Sequence, residues 1–250
     1  MIGKGSNLLI SDEGFHGLVV RLTGRLSSIV VRKGGLWCGG GASLPRAVQR
    51  AALHGLAGLE FGASIPGTVG GAVAMNAGAY RSELKDILEW AVICTPEGRR
   101  RVGPEDLELG YRRSGLHANE VVAAAAFHLQ HDDPALITAR LGELRGRRRA
   151  TQPQGVRTFG SVFANPAGDS SGRLLEAAGC KGLVVGGARF SPVHANFIEA
   201  APGCRAEDVL ALMCEGRTRV RQAGGPLLEP EVRYLDPVEG IRRPPLGDLG

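Results

Sequence analysis

The chain predicts an α/β fold (α+β in detail), and three observations carry that prediction. Gly supplies 38 of the 250 residues, about twice ordinary usage, while Phe, Trp and Tyr together make up only 5%. That balance suits backbone threaded closely past a ligand better than an all-helical bundle. Short apolar runs with strand character alternate with amphipathic stretches at helical spacing, and neither internal repeats nor coiled-coil heptads interrupt them.

The elements follow in order. Residues 7–10 (Asn-Leu-Leu-Ile) and 18–22 (Leu-Val-Val-Arg-Leu) read as short strands, separated by the turn-rich Ser11-Asp-Glu-Gly-Phe-His-Gly17. A helix follows Ser43, with Pro45 in its first turn and Gly55 placed to stop it. Leu44, Ala47, Val48, Ala51 and Ala52 form its apolar face. Residues 90–94 and 121–129 read as buried strands. Asp133-Pro134 caps a helix whose apolar positions are Leu136, Ile137, Leu141 and Leu144. That pattern ends around Thr151-Gln-Pro-Gln-Gly155, a plausible domain boundary. Beyond it come a short helix near 172–178 closed by Gly179, strands near 183–186 and 196–200, and a helix over 206–222. The tail after 236 reads as extended or frayed.

The five cysteines are odd in number and scattered, with no Cys-x-x-Cys pair, so neither a disulfide framework nor a zinc site is expected. No metal is expected elsewhere. No apolar run approaches membrane-spanning length, and the start lacks a signal-peptide hydrophobic region, so a cytoplasmic location is expected. A net charge of +5 favours anionic partners. Much of it sits at Arg145, Arg147, Arg148 and Arg149, which a solvated helix face explains as well. No aromatic residues interleave with them for base stacking, so a phosphate-bearing small molecule is expected and nucleic acid is not.

Five segments could carry chemistry. Ile65-Pro-Gly-Thr-Val-Gly-Gly-Ala-Val-Ala-Met-Asn-Ala-Gly-Ala-Tyr80 offers main chain with few side chains to hold a ligand away, with Asn76 and Tyr80 as polar and aromatic handles. Gly3-Lys4-Gly5-Ser6-Asn7 leads into a strand as a candidate pyrophosphate loop, although it lacks the strand-before, helix-after setting of the Rossmann fingerprint. Tyr111-Arg112-Arg113-Ser114 sets a guanidinium beside a phenol. Thr158-Phe-Gly-Ser-Val-Phe-Ala-Asn-Pro166 holds Ser161 after Gly160, without the Gly-x-Ser-x-Gly elbow of a serine hydrolase. Leu228-Glu-Pro-Glu-Val-Arg233 adds two carboxylates that share a face if extended. Read singly, each has an ordinary explanation: a loose loop, surface arginines, a charged edge strand.

Read together, these segments resemble the MurB family of UDP-N-acetylenolpyruvoylglucosamine reductases. The matching order is Gly-x-Gly-Ser-Asn-Leu-Leu, Gly58-Leu-Glu-Phe, the 65–80 run, Tyr111-Arg112 and Gly160-Ser-Val-Phe-x-Asn-Pro166. It continues through Lys181-Gly182, Gly186-Gly187-Ala188, His194-Ala-Asn-Phe197 and Leu228-Glu-Pro-Glu-Val-Arg233, spanning residues 3 to 235. The resemblance implies a two-lobed vanillyl-alcohol-oxidase-type FAD-binding region followed by an α/β substrate-binding domain. On this chain those fall at 1–153 (first lobe 1–23, incomplete; second lobe 24–153) and 154–226, with 227–250 as a C-terminal strand and tail. Family members carry a longer segment before the Gly-Ser-Asn loop, with an Arg-x-Gly-Gly pattern. Unpaired sheet edges are therefore expected in the first lobe.

The implied activity is reduction of the enolpyruvyl sugar nucleotide to UDP-N-acetylmuramate for peptidoglycan, with FAD and NADPH as cofactors and a monomeric enzyme. By analogy Ser161 donates the proton, while Arg112 and Glu231 stabilise charge on the substrate carboxylate, Glu229 taking that place if the register differs. Gly3, Gly5, Ser6, Asn7, Ile65, Pro66, Gly67, Thr68, Gly70, Gly71, Asn76, Ala77 and Gly78 would hold FAD. Tyr111, Asn165 and Asn196 would line the substrate site. The alternatives are another flavin oxidoreductase of the same fold, or a catalytically impaired nucleotide-binding remnant.

Overall fold

The computed structural model describes residues 1–247 and divides into two compact units. The first comprises Met1–Lys4 and Val19–Arg148. Its centre is a five-stranded antiparallel sheet in the order Ile29–Arg32, Gly35–Gly39, Val121–His128, Leu88–Thr95, Gly98–Val102. Leu36, Cys38, Ala91, Ile93, Ala125 and Phe127 are all buried in one core with the helix Leu44–Leu53. That helix buries Leu44, Ala47, Val48, Ala51 and Ala52, as its periodicity predicts. Gly55, at φ +63, turns the chain out of it.

The helix Pro134–Thr151 begins where Asp133 Oδ1 accepts a hydrogen bond from Ala135 N (2.8 Å). Its apolar stripe is narrower than expected. Ile137 and Leu141 are buried, but Leu144 is half-buried and Leu136 exposed. Arg140 occupies the flank instead, paired with Glu60 (3.0 Å) and Asp132 (2.7 Å). The expected strand at 18–22 is absent: Leu18, Val19 and Val20 are exposed. A strand needs a ladder partner, and the single bond from Ile2 N to Val20 O (3.0 Å) is not a ladder.

The second unit comprises Gly5–Leu18 and Arg149–Gly250. Residues 5–18 pack within this unit. Leu8–Ile10 pairs in parallel with Arg233–Asp236, in the register Leu8–Arg233, Leu9–Tyr234, Ile10–Leu235. Of the two readings of the tail after 236, extended holds: Gly240–Arg242 adds an antiparallel strand and Leu246 is buried, while 248–250 lie outside the described residues. A second small sheet runs Val184–Val185, Ala188–Phe190, Ile198–Ala200. The helix Ala206–Gln222 buries Val209, Leu212, Met213 and Val220 in the same core as Phe190 and Ile198.

Candidate active site

In the second unit Ser161 lies on an extended segment between two others. Ser161 bridges to Phe197 on one side, and Phe163 to Pro230 on the other. Val162 N donates to Asn196 O, Ala164 N to Glu229 O, and Glu231 N to Val162 O, each at 2.9 Å. Residues far apart in sequence thus bring Ser161 and Glu231 onto hydrogen-bonded neighbouring segments. Val162, Phe163 and Val232 are buried, while Ser161 and Glu231 remain half-buried.

Two asparagines hold this arrangement. Asn196 is buried; its Oδ1 accepts from Phe163 N (2.9 Å) and its Nδ2 donates to Phe163 O (2.8 Å). Both ends of the amide satisfy the strand that carries Ser161, so Asn196 supports that segment. Asn7 Nδ2 donates to Glu231 O (3.2 Å), and Asn7 O accepts from Arg233 N (3.1 Å). Gly160 is left-handed at φ +86, and a Cβ there would stand 4.0 Å from Ser6 O, so the Gly5-Ser6-Asn7 turn runs beside it. Gly5, Ser6, Asn7, Ser161 and Glu231 are therefore gathered in one unit. Glu229, whose main chain also bonds the serine segment, is exposed and paired with Arg243 (3.0 Å). Asn165 is exposed, and its Oδ1 accepts from Ser171 N (3.0 Å) at the start of the helix Ser171–Ala177.

Sequence reasoning gave His194 no role. Its Nδ1 accepts from Asn196 N (3.2 Å) and its ring meets Phe197 edge-on at 5.0 Å. Burial, and then the charge of Lys181, lower its pKa against the opposing pull of its own backbone and Glu176. An accepting Nδ1 is consistent with the neutral ring this favours. The clue in the sequence was its place two residues before Asn196.

The first unit holds Arg112. Arg112 is left-handed at φ +55, its Nη2 donates to Gly78 O (2.7 Å), and its guanidinium lies 4.8 Å over the exposed Tyr111 ring. Beneath it, fully buried Asn76 donates to Glu83 Oε2 (2.9 Å) and Gly110 O (3.0 Å) and accepts from Lys85 N (3.0 Å). Burial pushes the Glu83 carboxyl up. Hydrogen bonds from Lys85 and Asn76, with the charges of Lys85 and Arg112, more than reverse this and hold it below its usual range. Asn76 is thus a buried hub, and its side chain is not a cofactor contact as expected. Ala77 is likewise a core residue. The Tyr80 hydroxyl donates to Leu144 O (3.1 Å), so that handle is engaged with protein.

The glycines of 65–80 divide by purpose. A Cβ on Gly70 would stand 2.9 Å from Gly40 O and 3.0 Å from Val122 O; on Gly78 it would stand 2.5 Å from Ser82 O. There chain packs on chain. Gly71 meets only Thr68 Oγ1, at 3.4 Å, and Gly67 takes φ +146. Ile65 is half-buried against the core and Pro66 is exposed. Thr68 caps the short helix Val69–Ala74 by accepting from Gly71 N (3.2 Å). Gly3 lies so close to Thr68 that a Cβ would fall 2.7 Å from its Oγ1, and Lys4 Nζ donates to Ser43 Oγ (2.8 Å). Lys4 and Ser43 join the predicted set here; the lysine was visible inside the Gly-x-Gly motif.

A dinucleotide flavin needs main chain unshielded by side chains, together with polar groups for its diphosphate. Within the first unit Gly3, Lys4, Gly67, Thr68 and Gly71 offer these features, and within the second the Gly5-Ser6-Asn7 turn offers them by itself. The residues present fit that group. Among the described residues no group of three or more His, Cys, Asp or Glu could hold a metal ion, and no helix is long and apolar enough to cross a membrane.

Comparison with known proteins agrees. The family model for the UDP-N-acetylenolpyruvoylglucosamine reductase C-terminal domain matches residues 152–235, and an FAD binding domain model matches 1–102. The reductase of that name from Rubrobacter xylanophilus is 46% identical over 94% of this chain and 80% of its own length. That from Anaeromyxobacter sp. strain K is 44% identical over 94% of this chain and 71% of its own. The crystal structure of MurB from Thermus caldophilus superposes with a TM-score of 0.84 at 39% identity, covering 93% of this chain and 83% of that one. With an FAD-binding domain, a MurB C-terminal domain and relatives matched over most of their length, this chain belongs to the UDP-N-acetylenolpyruvoylglucosamine reductase (MurB) family of FAD-dependent oxidoreductases.

Proposed function

We propose that the chain reduces UDP-N-acetylglucosamine enolpyruvate to UDP-N-acetylmuramate, a peptidoglycan precursor, in the cytoplasm with NADPH as electron donor. The observation that carries this reading is the hydrogen-bonded pairing of the Ser161 and Glu231 segments, pinned by Asn196 and Asn7. FAD, when bound, supplies the hydride that adds to the vinyl carbon of the substrate. Ser161 Oγ–H then donates a proton to the carbon beside the carboxylate. A serine hydroxyl is a very weak acid, so it can act only against a strongly basic carbon, which hydride addition creates. Arg112 binds the substrate carboxylate, for which a planar guanidinium is suited. Glu231 assists the same developing charge by carrying a proton or a bound water, because a bare carboxylate would oppose it.

The test is direct. The purified protein should be yellow, bleach with NADPH under anaerobic conditions, and regain colour with the enolpyruvyl sugar nucleotide but not with simple sugars. Recovery of colour with simple sugars would favour another flavin oxidoreductase. A protein that never takes up FAD would favour an impaired remnant.

A further inference from the structure

Arginines of the second unit are mostly matched with acids. Arg173 pairs with Asp169, Arg189 with Glu199, Arg219 with Glu215, Arg242 with Asp236 and Arg243 with Glu229. Arg233 has no such match. It is half-buried, and its guanidinium has no carboxylate or hydrogen-bond partner among the described residues. The charge that acts on it is another cation, Arg243, and this like charge adds to burial in pushing its pKa down. A half-buried cation with no carboxylate of its own is unfavourable until an anion arrives.

The fold says where that anion would sit. Val232 and Tyr234 are core residues, so Glu231 and Arg233, alternating with them, share the other face. Arg233 N donates to Asn7 O, and Leu8 is its partner in the parallel ladder. Arg233 therefore stands at the end of the Gly5-Ser6-Asn7 turn, whose left-handed Gly5 has open space around it. Main-chain amides of such a turn and a planar guanidinium are a donor set for phosphate.

We propose that Arg233 is a diphosphate-binding residue, gripping a nucleotide diphosphate beside the Gly5-Ser6-Asn7 turn. This rests on the proposed function only in that FAD and the sugar nucleotide both carry a diphosphate. Arg233→Met and Arg233→Lys separate the two sources. FAD affinity of the apoprotein is read by flavin fluorescence, and affinity of the oxidised holoenzyme for UDP-N-acetylmuramate by flavin absorbance. Arg233→Met is expected to weaken one of these at least tenfold, with Arg233→Lys recovering part of the loss in low salt. A loss confined to FAD assigns the cofactor, and one confined to the sugar nucleotide assigns the substrate. Unchanged affinity for both ligands in Arg233→Met would overturn the proposal, as would equal loss in both variants with a matching fall in Tm. Should Arg233→Met not fold, Arg233→Gln carries the same test. If wild-type holoenzyme ignores UDP-N-acetylmuramate while FAD affinity still depends on Arg233, the proposed substrate fails and this assignment stands.

Discussion

The segments that carry Arg112 and Ser161 are both held by a buried asparagine, but on different backbones. Around Arg112 the chain is bent: Asn76, Tyr80, Arg81, Glu108 and Arg112 are non-glycine residues at positive φ, and all lie in the first unit. Each such residue costs about 1–3 kcal/mol, which surrounding contacts must offset. Around Ser161 the backbone is extended and cross-bonded, and no described non-glycine residue of the second unit is left-handed. The lesson is that one amide can do opposite jobs. Asn76 fastens loops that would relax without it, whereas Asn196 completes a set of strand contacts that already exists.

Removing each amide is the sharpest way to break that comparison. Asn76→Leu strips partners from Gly110 O, Lys85 N and Glu83 at a fully buried site, and should lower stability by about 4 kcal/mol at 1–3 per orphaned group. Chemical denaturation measures it, and a loss under about 1 kcal/mol would mean the loops hold themselves. Asn196→Leu orphans only Phe163 N and O, for about 3 kcal/mol by the same measure. If it proves the costlier of the two, the ranking of bent against extended support is wrong.

Smaller effects refine the picture. Gly70→Ala pushes a methyl against two carbonyl oxygens that belong to backbone, and should cost about 2 kcal/mol. Gly71→Ala has room and lies in a helix, so stability should stay within about 1 kcal/mol of wild type. Its FAD affinity should nevertheless fall, and an unchanged affinity would remove Gly71 from the cofactor set. The smallest effect is on pH dependence. His194 is depressed below its ordinary value of 6.5, so the unfolded chain binds its proton first as pH falls. Its contribution is fully present above 6.5 and is lost as pH drops toward the folded value. His194→Gln should flatten urea-midpoint curves in that window, and an unaltered slope would contradict the assignment.

Much of the fold was legible because local rules matched it. The helix after Ser43 buried the five residues its spacing named, and the strands at 90–94 and 121–129 formed where apolar runs predicted them. The strand at 18–22 failed because strand propensity needs a partner. The tail after 236 was left between extended and frayed because its pairing with Arg233–Asp236 is a long-range fact. At the site, Ser161, Glu231 and Arg112 stood out only once their segments were read together as a resemblance. The division of labour among the asparagines was not. Sequence shows an amide but not which backbone it satisfies, so Asn76 and Asn196 read as ligand contacts when both serve the protein. Glycine is ambiguous in the same way, since Gly70 and Gly71 are adjacent yet only Gly70 is required by packing.

The most direct measurement is anaerobic stopped-flow absorbance of the flavin in Ser161→Ala, following each half-reaction separately. Reduction by NADPH should proceed near the wild-type rate. Reoxidation by the enolpyruvyl sugar nucleotide should slow by about 10²–10⁴-fold, the range for losing a general acid. Equal slowing of both halves would show that Ser161 supports binding or structure and is not the proton donor.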